Sequence, residues 1–538
     1  MSHPLYVAFI WHQHQPFYSP CSSRKNYVVP SVRQHATKDY LDLILRLEAY
    51  PQLHQTVNLV PSLILQLEAY INGEAKDEDL AFSLSDERYF SEADQRYVLS
   101  NFFRGYAPHI IAPHPRYQEL YEQWHTEGED WCLTHWQTQD YGDLMAWHDL
   151  AWIDPLFWDD PEIARWLKQG RNFTLGDRQA IWQKQREIMR QILPKHHQMQ
   201  EQGQLEIITS PYAHPMLPLL ADTNAAQVTQ PDLALPSPAF GWPQDMGRHL
   251  RKAWAIYSDR FGRPPLGLWP PEQAVSPAIL PPIAQQGFQW LCSDEAVLGW
   301  TLNHFFHRDD QGRLTNPELL YRPYRITTPH GDLAMVFRDH TLSDRIGFDY
   351  GGMPPETGAR DLVQRLEAIA QQQQNQSTPD PWLVTIALDG ENCWEYYPQD
   401  GGPFLNHLYA QLSQHPQFKL VTVSEFLQQF PPTVTLEAEQ LHSGSWVDGN
   451  FTTWIGHPAK NRAWELLQAA RQTLANHPEA TPETHPEAWE ALDAAEGSDW
   501  FWWLGKGNAA PYEELFEQVF LDHLKMMYQA LNEPMLLE

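Results

Sequence analysis

Acidic side chains placed directly after short apolar runs are the first chemical signal in the chain. "LGLWPPE" ends on Glu272, "LAMVFRD" on Asp339, and "WLVTIALDGEN" on Asp389 and Glu391. Two carboxyl groups flanking one bond are what glycoside cleavage asks for: one protonates the leaving oxygen, and the other attacks the anomeric carbon or activates water. Glu272 and Asp339 form the best pair, since each follows its run immediately. Pro270 and Pro271 stiffen the exit to Glu272 by fixing φ and removing backbone donors. The same residues also fit ordinary structural roles. Glu272 could sit in the first turn of a helix, stabilised by its dipole. Asp339, Asp344, Asp349 and Arg338 could pair with one another, and Ser343 could cap a helix. Along an extended strand Arg338 points away from Asp339, and Asp344 is the next acid to examine if that pair fails. Asp389 and Glu391 suit sugar hydroxyls, or simply shape a turn around Gly390.

Histidines supply a second signal. "YVAFIWHQHQP" carries His12, His14 and Gln15, and "LEIITSPYAHP" leads to His214. His12 and His14 share one side of a persisting strand. With His214 and Asp339 they could hold zinc, or they could hydrogen-bond neighbouring carbonyls or substrate hydroxyls.

Such groups need a rigid frame. Seven apolar runs end in candidate catalytic residues, and helical patterns such as "KDYLDLILRLEAY" and "ARDLVQRLEAIAQQQQ" lie between several of them. Alternating strands and helices predict parallel βα units, whose sites lie at the C-terminal strand ends. The expected architecture is an α/β barrel over residues 1–430 with a helical insertion at about 80–200. A C-terminal helical domain over 431–538 is expected to pack on the barrel. "FKLVTVSEFL" reads as a last strand running into a helix.

Composition narrows the function classes. The 538 residues carry a net charge of −31, which disfavours nucleic-acid or anionic-membrane partners. The four cysteines, Cys21, Cys132, Cys292 and Cys393, form no C-x-x-C pair. The N-terminus reads as a first strand and not as a signal peptide, and no run approaches about 18 apolar residues, so the cytoplasm is the expected location. There are 23 tryptophans. Trp269 and Trp394, beside the motifs, are expected to line the cleft and stack on sugar.

Five ordered segments carry a resemblance: "HQHQP" at 12–16, "SPYAHPMLPL" at 210–219, "GLWPPEQAVSP" at 267–277, "FRDHTLSDRIGF" at 337–348 and "ALDGENCWEYY" at 387–397. They resemble glycoside hydrolase family 57, particularly its amylopullulanase-like branch, and linking stretches such as "SWVDGNFTTWIGHP" and "SDWFWWLGKGN" extend the likeness over nearly the whole chain. The resemblance implies an incomplete (β/α)7 barrel followed by helices, and action on α-glucans or maltooligosaccharides with retention of configuration. It implies no cofactor and no metal for the chemistry. It places the nucleophile on Glu272 and the acid/base on Asp339, with His14, His214, Asp389 and Glu391 at the substrate. Hydrolysis is expected first. A 4-α-glucanotransferase or branching enzyme is the alternative, ahead of a metal-dependent glycosidase or an inactive glucan-binding protein.

Overall fold

The computed structural model describes residues 3–19, 26–310, 312–376, 380–505 and 513–535; Cys21 and the end of the "SDWFWWLGKGN" stretch lie outside them. Seven parallel strands form a nearly closed barrel: β1 Leu5–Gln13, β2 Gln55–Leu59, β3 Leu205–Ile208, β4 Gly267–Leu268, β5 Trp290–Asp294, β6 Gly331–Arg338 and β7 Leu383–Asp389. β1 runs beside β7 from Tyr6–Leu383 to His12–Asp389, and β2 and β3 follow on its other side. β4, β5 and β6 continue the ring. Two seams are thin. β6 and β7 share the single pair Arg338–Thr385, and β3 meets β4 only through the Thr209–Leu268 bridge.

All nine residues of β1, "LYVAFIWHQ", are buried. A barrel strand has an inner face on the barrel core and an outer face on helices, which removes the polar alternation of a half-exposed strand. The two faces still separate by period two. Tyr6, Ala8 and Ile10 pack with Ile208, Cys292, Val336 and Ala387 inside the barrel, while Val7, Phe9 and Trp11 pack outward against helices. Trp290 fills the barrel between Gly267 and Ile208. A Cβ at Gly267 would sit 2.3 Å from the Trp290 ring, so only glycine admits it there. The indole donates to Glu206 (3.1 Å) and to Ser424 (2.9 Å).

The expected last strand differs in place from the seven. Phe418–Leu420 pairs with Leu5–Val7, the part of β1 that β2 leaves free. Beyond residue 430 the chain adds one more strand, Val434–Leu436, on Tyr324–Thr328, which itself runs antiparallel to β6. Helices Pro458–Ala475, Pro486–Ala495, Ser498–Trp503 and Glu513–Ala530 follow.

Between β2 and β3 the chain is helical apart from the short strand Lys76–Asp77, which pairs with Asn26–Tyr27, and it ends in the long helix Leu175–Glu201, whose start is fixed by a Thr174–Asp177 capping box. Arg33, fully buried, moors this region through Asp77 (2.9 Å) and Asp149 (2.7 Å). The C-terminal helices are moored by Arg248, which reaches Asp493 (2.5 Å) and Glu496 (3.1 Å), and by Arg471 on Asp245 (2.7 Å). Among the described residues no helix is long and apolar enough to cross a membrane.

Candidate active site

Inner-face parity decides which strand-end residues meet at the barrel mouth. On β1 it selects His12, two beyond Ile10. On β7 it selects Asp389, two beyond Ala387. On β6 it selects Arg338, two beyond Val336, and sends Asp339 outward with Phe337.

Glu272 follows the very short β4. Pro270 is extended (φ −61°, ψ 129°), and Glu272 itself adopts φ 58°, ψ 20°, a left-handed conformation rare for a residue with a Cβ. His214 shares that conformation at φ 57°. Such strain persists only where the surroundings over-determine it, and here they do. The Glu272 carbonyl accepts from the Trp446 backbone N–H at 3.1 Å, and the His214 carbonyl accepts from the Ser498 N–H at 2.9 Å. The Glu272 carboxylate is held at both oxygens: Ser498 Oγ donates to Oε1 (2.8 Å), and Trp446 Nε1 donates to Oε2 (3.1 Å). Burial first, then the charge of Asp499, pushes the Glu272 carboxyl up to about 8. Asp389 adds to the rise, and the two hydrogen bonds oppose it.

An aromatic and histidine wall backs this acid. Trp269 stacks on His12 with centroids 4.6 Å apart, and Trp446 stands edge-on to Trp269 at 5.5 Å. Arg338 lies over Trp446 at 5.2 Å while its Nε donates to Asp294 (2.6 Å). Asn58 donates to His12 Nδ1 at 2.6 Å. Burial holds the imidazoles of His12 and His214 well below the usual histidine range, so both are neutral. Asp389 pairs with Asn392 (2.9 Å) and keeps part of its surface open. Burial raises its carboxyl above the ordinary aspartate value, against the pull of Asn392, His14 and Arg338.

The zinc arrangement is not assembled. His14, His214 and Asp499 do offer ligand atoms within 4.8 Å of one another. But the His14 and His214 rings stack at 3.9 Å and 23°, and imidazole lone pairs lie in the ring plane, so nearly parallel rings cannot aim at one ion. His14 Nε2 is engaged with Asp499 at 3.0 Å, His214 Nδ1 with Ser498 at 3.0 Å, and Asp339 lies elsewhere.

The structure places several of the expected site residues away from the barrel mouth. Asp339 caps the helix His340–Asp344. Its Oδ1 accepts from the Leu342 N–H (2.9 Å) and Arg308 (2.9 Å), and its Oδ2 accepts from Tyr321 (2.8 Å). Both oxygens are occupied on the outer side of the barrel, the geometry of a structural cap. Trp269 and Trp394 are fully buried. Trp269 backs His12, and Trp394 packs on Trp11 and Tyr397 while donating to the Gly390 carbonyl (3.0 Å), so neither lines an open cleft. Glu391 is buried against Gln15 (3.1 Å), with His35 and Tyr40 beside it, and burial raises its carboxyl to about 8. Glu391 and Gln15 thus brace the loop after β7. Asp344 is drawn to His340 (2.8 Å) and Arg338 (3.4 Å) at the rim.

Three residues at the centre were not anticipated: Trp446, Ser498 and Asp499. Their signal in the sequence is an isolated Trp in "SGSWVDGN" and a Ser-Asp pair opening "SDWFWW".

The comparisons with known proteins agree with this frame. The model of glycosyl hydrolase family 57 matches residues 8–439. A branching enzyme from Pyrococcus horikoshii superposes with a TM-score of 0.61 at 17% identity, covering 98% of this chain and 90% of that one. An α-amylase from Thermotoga maritima gives 0.57 at 14%, over 98% and 93%. A 4-α-glucanotransferase from Thermococcus litoralis gives 0.51 at 12%, over 98% and 60%. No curated protein matches the chain in sequence. With the family model spanning most of its length and its strand-end acids gathered at the mouth of a seven-stranded barrel, the chain belongs to glycosyl hydrolase family 57.

Proposed function

We propose that this enzyme cleaves glycosidic bonds in α-glucans with retention of configuration, with Glu272 as the nucleophile and Asp389 as the acid/base. The observation that carries this reading is the inward convergence of two strand-end acids. Glu272 is presented by β4 with a donor on each oxygen, and Asp389 is presented by β7 close enough to raise the Glu272 pKa. Asp389 protonates the glycosidic oxygen as it leaves. A Glu272 oxygen forms an ester bond to the anomeric carbon. Asp389, now ionised, takes a proton from water, whose oxygen displaces Glu272. Esterification removes the Glu272 charge, so the Asp389 pKa falls as its role turns from acid to base. In the productive state Asp389 carries the proton and Glu272 is ionised.

The α-glucan class rests on the family and on the names of the structural neighbours. The amylopullulanase-like motifs support α-1,4 cleavage with α-1,6 cleavage beside it. Glucan transfer or branching is the second reading, supported by the branching enzyme and the glucanotransferase among the neighbours; it differs only in a sugar hydroxyl replacing water. Two measurements test the proposal. An activated 5-fluoro-α-glucosyl fluoride should leave a glycosyl adduct on the peptide bearing Glu272, and an adduct on another acid would overturn the assignment. With maltoheptaose, shorter products with rising reducing ends mean hydrolysis, and longer chains at constant reducing ends mean transfer.

A further inference from the structure

Away from the barrel mouth, three buried aspartates from distant parts of the chain face one another. Asp42 opens the helix Asp42–Glu48, Asp154 caps a turn in the insertion, and Asp400 lies on the loop after β7. They are 2%, 0% and 7% exposed. Each offers an oxygen within 4.8 Å of the other two.

Two bases and one backbone amide occupy only one oxygen of each acid. Arg46 donates to Asp42 Oδ2 (3.1 Å) and to Asp154 Oδ1 (3.1 Å), which also accepts from the Leu156 N–H (2.6 Å). Lys38 donates to Asp400 Oδ1 and to Asp39 (3.1 Å), and Asp39 also holds His35 (2.6 Å). Asp42 Oδ1, Asp154 Oδ2 and Asp400 Oδ2 are buried with no donor. Four carboxylates against Lys38 and Arg46 leave two uncompensated negative charges, or one with His35 protonated. A buried charge without a partner costs several kcal/mol, so the cluster needs either protons or a cation. Asp154 and Asp400 also line a cavity of about 320 Å³, with Lys38, Gln399 and Trp158 on its walls, which offers an entry route and room for water ligands.

We propose that Asp42, Asp154 and Asp400 hold a calcium-sized divalent cation that ties the insertion to the loop after β7. The donors are hard carboxylate oxygens, which suit calcium or magnesium over softer metals. Calcium bonds of about 2.3–2.6 Å place oxygens up to about 5 Å apart across the ion, and calcium tolerates irregular protein cages. Magnesium demands a tighter octahedron and keeps more water. The ion neutralises the charge that Lys38 and Arg46 leave. Its site shares no residue with the Glu272 cluster, so it stands apart from the proposed chemistry.

The test uses full-length protein stripped with chelator and desalted. Titration with calcium chloride in a calorimeter should show one tight site per chain and raise Tm by several degrees, with magnesium weaker. Asp154→Asn should abolish both effects while keeping the circular dichroism of the parent. Terbium should luminesce by energy transfer from the neighbouring Trp152 and Trp158, be displaced by calcium, and lose most of its sensitisation in Trp152→Phe/Trp158→Phe, a double variant that keeps every ligand. This luminescence decides the matter if Asp154→Asn fails to fold. Folded protein with no calcium heat and no Tm change would overturn the site, as would calcium binding undiminished in Asp154→Asn or terbium emission unaltered by Trp152→Phe/Trp158→Phe. Stabilisation by acid alone would mean that protons, not a cation, neutralise the cluster.

Discussion

At the scale of single residues, Glu272 is an ionisable group held where ionisation is costly. Its carboxyl rises from 4.5 to about 8 on folding because burial and the Asp499 charge oppose ionisation. An acid with a raised folded pKa contributes no penalty below about pH 4.5. Its cost grows as pH climbs toward 8, where the unfolded chain has already released the proton. Glu272→Gln should therefore match the parent Tm near pH 5 and exceed it at pH 8, while turnover disappears because an amide cannot attack. Equal melting of the two proteins at both pH values would contradict the burial argument. Ser498 and Trp446 act in the other direction, since their hydrogen bonds favour the charged carboxylate. Ser498→Ala should move the acid limb of kcat/KM to higher pH. It should also lower activity at neutral pH roughly ten-fold or more, in line with the about 1.5–3 kcal/mol of a hydrogen bond to a charged group. An unmoved limb would show that Ser498 only packs.

At the scale of elements, the strands were legible and their inner faces were not. Apolar runs with polar ends located all seven barrel strands, and the double proline before Glu272 marked a fixed exit from β4. Arg338 and Asp339 show where such reading stops. They are adjacent, one of them must face inward, and only the register of β6 against its neighbours decides that it is Arg338. The tryptophans show the same limit: Trp269 and Trp394 lie within motifs yet are packed behind them, while the useful indole comes from Trp446. Trp446 and Ser498 reach Glu272 across 174 and 226 residues of chain, distances no local pattern encodes. Asp339→Ala removes the N-cap of His340–Asp344 and leaves Arg308 with Glu295 alone. Breaking a buried pair costs about 3–5 kcal/mol, so thermal unfolding should move down markedly, with kcat of the remaining folded fraction near that of the parent. An unchanged Tm with lost turnover would restore Asp339 to the chemistry.

At the scale of the whole molecule, the barrel does not complete its own site. The segment after residue 430 supplies Trp446, Ser498 and Asp499, and the last two open a short helix held against the barrel through the Pro215–Gly497 bridge. Arg248 ties the preceding helix down by way of Asp493 and Glu496, all three buried. Arg248→Met should cost about 3 kcal/mol or more, because it leaves two acids short of a partner. It should also reduce kcat, because the helix that leads directly into Ser498 loses its anchor. Stability lost without any change in kcat would mean that the C-terminal helices position nothing at the barrel mouth.

The central claim is that Asp389, and not Asp339, is the acid/base partner of Glu272. Chemical rescue tests it most directly. In Asp389→Ala, an activated aryl α-glycoside needs little protonation, so the glycosyl-enzyme should still form and then stall. Added azide attacks without a base and should restore turnover, releasing the α-configured glycosyl azide. The account predicts azide rescue in Asp389→Ala and none in Asp339→Ala. Rescue in Asp339→Ala, with Asp389→Ala unresponsive, would contradict it.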